Sequence, residues 1–144
     1  MKYYFAVLFF IGILFITGCS TDNQMVLLEE EISSIDVAIS NGAGEMNEDI
    51  MHTFNDSESI LLFETAITSA KRGESNVVST KPDYDVVVNY RNGSPSHAIH
   101  IWLGEKNEKS TLMYMVDYAT GEGQTYVSTL TSTNQLRDLI LTGE

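Results

Sequence analysis

Two runs decide the fold: Tyr84-Asp85-Val86-Val87-Val88-Asn89-Tyr90-Arg91-Asn92-Gly93 and, after four linking residues, Ala98-Ile99-His100-Ile101-Trp102-Leu103. In the first, Tyr84, Val86, Val88 and Tyr90 alternate with Asp85, Asn89 and Arg91, the period of a strand with one face in a core. Asn92-Gly93 favours the tight turn that joins two antiparallel strands, so the second run is the return strand of a hairpin. Closing the loop through two residues or through four shifts the register by two. In either case Tyr84, Val86 and Val88 share a face with Ile99, Ile101 and Leu103, because side-chain direction repeats every two residues.

Outward from this hairpin the chain continues as a meander. Gly104 to Lys109 is a charged turn, Thr111 to Tyr118 a strand, Thr120-Gly121-Glu122-Gly123 a turn, and Gln124 to Thr129 a further strand. On Thr111 to Tyr118, Met113 and Met115 lie on one face and Leu112, Tyr114 and Val116 on the other, so both sides can be buried. Ser132 and Gln135 stand at capping-box spacing, and Leu136, Leu139 and Ile140 form the apolar stripe of a terminal helix.

Before the hairpin, Ile32 to Ser40 alternates with Ile35, Val37 and Ile39 on one face and Ser34, Asp36 and Ala38 on the other. Asn41-Gly42-Ala43-Gly44 turns the chain into a weaker strand, Glu48 to Phe54. A helix follows. Asn55 or Asp56 supplies its cap, Ile60, Phe63, Ile67 and Ala70 its apolar stripe, and Gly73 its left-handed end. The predicted order is ββαββββα. That is an α+β fold, an antiparallel sheet of five to six strands with two helices packed on one face.

The N-terminus carries a different message. Met1-Lys2 is a minimal positive start, and Tyr3 to Ile16 is an uncharged apolar run shorter than the roughly 20 residues that span a bilayer. It ends in Ile16-Thr17-Gly18-Cys19, an aliphatic residue and two small ones ahead of a cysteine, which looks like a bacterial lipobox. The expectation is a signal peptide over 1–18, a lipidated tether over 19–31 and a single domain over 32–144. Cys19 would carry the acyl chains, including palmitate, that hold the protein at the extracytoplasmic face of the cell membrane. Two chains anchor firmly, at about 0.8 kcal/mol per buried methylene.

Composition narrows the function further. Eight basic against 20 acidic residues give a net charge of −12, a surface that repels phosphate, so nucleic acid is not an expected partner. The same balance argues against adhesion to anionic lipid through overall charge alone. Cys19 is the only cysteine, which leaves no disulfide, no Cys-ligated zinc and no free catalytic thiol.

The candidate chemistry is sparse. His97 and His100 are three apart on a strand, so they point to opposite faces and cannot share a metal ion; no metal or other cofactor is expected. The loop with Glu45, Glu48 and Asp49 lacks the residue order of a calcium loop. The two-residue hairpin register places Asp85 opposite His100 on the polar face, with Trp102 two residues on, a candidate binding face or acid/base pair. No nucleophile elbow, phosphate loop or zinc-protease motif is present.

The block Pro82-Asp83-Tyr84-Asp85-Val86, the strand ending Trp102-Leu103-Gly104 and the helix end Ser69-Ala70-Lys71 together resemble the YhfM-like family of small lipoproteins from Bacillus-type bacteria. The likeness runs from about Ile35 to Leu141. It implies a Gram-positive host and attachment through Cys19, and it supplies no catalytic residues. The leading expectation is a non-catalytic module binding an envelope protein or cell-wall component. The alternatives are a small envelope hydrolase using Asp85 and His100, and a structural envelope lipoprotein.

Overall fold

In a computed structural model the described residues are 23–73, 80–117 and 122–143. They form a single antiparallel sheet and two helices: β1 (Ile32–Ile39), β2 (Ile50–Phe54), α1 (Ser57–Thr68), β3 (Lys71–Arg72), β4 (Tyr84–Tyr90), β5 (His97–Trp102), β6 (Thr111–Asp117), β7 (Glu122–Val127) and α2 (Leu130–Thr142). The α+β architecture is as the sequence predicts. The strand count is higher, because β3 joins a seven-stranded sheet ordered β2-β1-β4-β5-β6-β7-β3.

That order explains the placement of α1. The chain leaves β2 at one edge and enters β3 at the other, so the intervening helix crosses one face of the sheet. Phe63, Ala66 and Ile67 on α1 and Leu136, Leu139 and Ile140 on α2 are buried with Ile35, Val37, Val86, Val88, Ile99, Ile101 and Leu112 in one core. Asp56 caps α1, its carboxylate accepting the Ser59 N–H at 2.8 Å.

The β4–β5 register pairs Tyr84 with Ile101, Asp85 with His100 and Val88 with His97, the register expected for the two-residue closure, although the connection itself is wider, running from Arg91 to Ser96 with the Gly93 N–H bonded to the Tyr90 carbonyl. Gly93 takes φ of 78°, which only glycine adopts at no steric cost.

Four local expectations need correction. Ile39 is 59% exposed, although it lies in the predicted apolar row of β1; it ends the strand and lines an open surface depression with Leu141. Helix α1 ends at Thr68 with Ser69 as cap, so Gly73 does not terminate it. The backbone beyond is claimed by other partners: Ala70 C=O accepts from Met25 N–H, and Lys71–Arg72 pairs with Val127 and Tyr126. Helix α2 is capped by Thr129, whose hydroxyl accepts the Ser132 N–H, so Ser132 is inside the helix.

The fourth concerns the tether. Met25 and Leu27 are buried in the core, and Asn23 C=O accepts from Arg72 N–H at 2.7 Å. Tyr114 Oη donates to the Val26 carbonyl, and the Leu28 N–H donates to Tyr90 Oη. From Asn23 to Leu28 the segment read as a free tether is therefore docked on the domain. Burial of two large apolar side chains, at about 1.5–3 kcal/mol each, and these hydrogen bonds together offset the entropy of ordering the stretch.

Candidate functional site

Asp85 on β4 and His100 on β5 are cross-strand partners on the sheet face opposite the helices. Nδ1 of His100 donates to Oδ1 of Asp85 at 2.7 Å. The other carboxylate oxygen accepts the Asn47 N–H at 2.8 Å. Burial pushes the Asp85 carboxyl up, but the hydrogen bonds from His100, Asn47 N–H and the Ser40 hydroxyl, with the attraction of His100, outweigh it and hold the group below the usual carboxylate value.

The sequence places this pair correctly and misjudges its exposure. His100 is 0% exposed, Asp85 1% and Trp102 9%, so they present no open binding face. Two segments distant in sequence lie over them. The loop after β1 reaches in through Asn47, whose side-chain amide also donates to the Ile39 carbonyl. The stretch before β4 holds Trp102, whose Nε1 donates to Thr80 C=O at 2.8 Å, and Asp83 accepts the Leu103 N–H. Met113, Thr125 and Ala38 are buried on the same face.

Chemically, a carboxylate that fixes His Nδ1 leaves Nε2 as the basic nitrogen, the orientation used in hydrolase triads. Among the described residues Nε2 of His100 has no hydrogen-bond partner, and so no described nucleophile is poised on it. A general base must reach the proton it removes directly or through one water.

His97 points to the other face, as its spacing from His100 predicts. Its Nδ1 shares a 2.8 Å hydrogen bond with Tyr90 Oη, and burial lowers its pKa, which favours the neutral ring. Glu45, Glu48 and Asp49 stay on or near the surface, and no group of three ligating side chains converges among the described residues. Cys19 and the lipobox residues Ile16, Thr17 and Gly18 lie outside the described residues, and no described helix is long and apolar enough to cross a membrane.

Open clefts lie elsewhere. One, of about 480 Å³, runs between α1, α2 and β2, with Phe54, Leu62 and Leu139 in its lining and Asp56, Glu58 and Asp138 as its carboxylates. Another, of about 290 Å³, gathers Lys71, Arg72 and Lys109. The sequence shows Lys71-Arg72 as an adjacent pair, but nothing local signals that Lys109 joins them. The β3–β7–β6 pairing does that.

The family model described as YhfM protein matches residues 29–142, which takes in both helices and all seven strands. The chain belongs to the YhfM family. No curated protein matches the sequence. Among solved structures, a chain described as a thioesterase-like protein from Clostridium sporogenes aligns over 76% of this chain and 94% of its own length, with a TM-score of 0.56 and 20% identity. At that identity the likeness shows that the YhfM-family domain shares a fold with that protein, and it carries no residue roles.

Proposed function

We propose that this YhfM-family chain is a lipid-anchored module on the extracytoplasmic face of the cell membrane, where it binds an envelope component without catalysing its conversion. One observation carries the non-catalytic part: the acid/base pair with catalytic orientation, Asp85 and His100, is sealed from solvent, and His100 Nε2 has no hydrogen-bond partner among the described residues. Anchoring rests on Ile16-Thr17-Gly18-Cys19. Binding then uses the open clefts beside α1 and α2 and leaves the buried Trp102 face to stability.

The test is crosslinking in intact cells, with membrane fractionation and mass spectrometry of the chain beside its Cys19→Ser variant. A diacylglyceryl peptide beginning at Cys19 and a specific crosslinked partner, both lost in the variant, support the proposal. Released or unlipidated wild-type protein would overturn the anchor, and absence of any specific crosslink from an anchored chain would overturn the binding role.

A second reading, a small envelope hydrolase, has the Asp85-oriented imidazole in its favour. It requires that His100→Gln abolish turnover of an envelope ester or amide at unchanged stability. An identical rate in His100→Gln ends it.

A further inference from the structure

The cations of this acidic chain are not spread evenly. Lys71 and Arg72 form β3, and the pairing of β3 with β7 and of β7 with β6 carries them to the start of β6, two residues beyond Lys109. All three are exposed and line one cleft of about 290 Å³ together with Ser69, Ser128 and Thr129, and among the described residues no carboxylate lines it. The ion pairs among the described residues are Arg91 with Glu31 and His100 with Asp85, so no described carboxylate pairs with any of the three cations.

Two further features suit an anion. Thr129 is the cap of α2 and Leu130 its first residue, and both are in the lining, so the positive end of a 13-residue helix adjoins the cleft. The Ser69 hydroxyl oxygen is buried without a hydrogen-bond partner among the described residues. A buried hydroxyl left unpaired is destabilising, and a ligand oxygen would relieve it.

We infer that this cleft binds a phosphate ester. The three cations supply the charge, the Ser69 hydroxyl supplies a hydrogen bond to one oxygen, and the apolar Val127 and Leu130 accept the esterified carbon chain. Its place in the fold names the nearest source. Gln24 bridges to Lys71 and Asn23 accepts from Arg72 N–H, and four residue steps from Asn23 to Cys19 reach at most about 14 Å. On the lipid-anchored reading, from which only this choice of source follows, the phosphate at hand is a phospholipid headgroup. Local clustering achieves what the overall charge forbids.

The test uses amine-reactive footprinting of the full, membrane-extracted chain, with Lys81 and Lys106 as internal controls. Glycerol phosphate is added to the chain in neutral detergent; separately, the chain is placed in vesicles of phosphatidylcholine with or without phosphatidylglycerol. Slowed labelling of Lys71 and Lys109, with Lys81 and Lys106 unchanged, is the expected result, and Arg72→Gln should weaken the ligand's effect at least about tenfold. Protection by phosphatidylglycerol vesicles alone assigns the site to lipid; protection by glycerol phosphate in detergent assigns it to soluble phosphate esters. If neither protects, or if Arg72→Gln only promotes aggregation through the β3 edge and leaves protection intact, the inference is wrong. The mass of the Cys19 peptide in the same sample reports the anchor independently. A lipidated chain without protection defeats this inference alone, and a protected chain without lipid defeats the anchor alone.

Discussion

Replacing Asp85 with alanine should remove more stability than any surface change, and the structure sets the size of the loss. The carboxylate accepts from His100 Nδ1 at 2.7 Å and from Asn47 N–H at 2.8 Å, in a place 1% open to water. Alanine leaves those donors buried and unpaired, and breaking a buried pair by removing one partner costs about 3–5 kcal/mol. For a domain of this size each kcal/mol lowers the melting temperature by about 4 °C, so a fall of roughly 12–20 °C is expected. The assay is thermal unfolding of the full chain by circular dichroism, with urea unfolding to confirm that the slope is unchanged. Replacing both partners, Asp85→Leu with His100→Leu, should recover part of the loss, since an apolar pair leaves no orphaned charge. A loss below about 1 kcal/mol in Asp85→Ala, a size typical of an exposed pair, would refute the sealed-pair argument. So would a double variant worse than the sum of its singles.

Acidification should act in two windows. Burial lowers the pKa of His97 in the folded state, so below about pH 6.5 the unfolded chain takes up the proton first and stability falls with pH until the folded-state pKa is reached. The Asp85 carboxyl, held below its ordinary value, contributes stability above about pH 4 that is lost as pH falls through its folded pKa. Urea midpoints from pH 7 to pH 3 should show both declines, and His97→Phe should flatten the first; an unchanged slope in that variant would remove His97 as its source. Gly123→Ala should destabilise by about 1–3 kcal/mol, because a Cβ there would overlap the Tyr114 carbonyl oxygen and lie 2.6 Å from Met113 Cγ. Gly42→Ala, with no atom within 4 Å of the added carbon but a φ of 143°, tests backbone strain alone; equal midpoints for the two variants would show that close packing at Gly123 is not the cause.

The hairpin was legible because its signals are local. Alternation from Tyr84 to Tyr90 and the Asn92-Gly93 turn together put Asp85 across from His100, and the register follows. Strand β3 has no such signal: two consecutive cations become a strand only because the β7 edge offers them hydrogen bonds. The docked segment Met25-Val26-Leu27-Leu28 does alternate in space, with Met25 and Leu27 buried and Val26 and Leu28 exposed. Since all four are apolar, the sequence carries no period to reveal it.

The site failed to read through for a related reason. Alternation tells which residues share a sheet face, and it cannot tell whether that face is covered. The polar row of Asp85 and His100 looks like an exposed surface until Asn47 and Thr80, each distant in sequence from the residue it bonds, close over it. The reverse holds for Lys71, Arg72 and Lys109, which the sequence keeps 37 positions apart and the sheet brings to one cleft. Burial made the expected site part of the packed interior, and strand order gathered scattered charges into one cleft. The proposed phosphate-ester site is therefore a property of the sheet's β3 edge, which no run of residues announces.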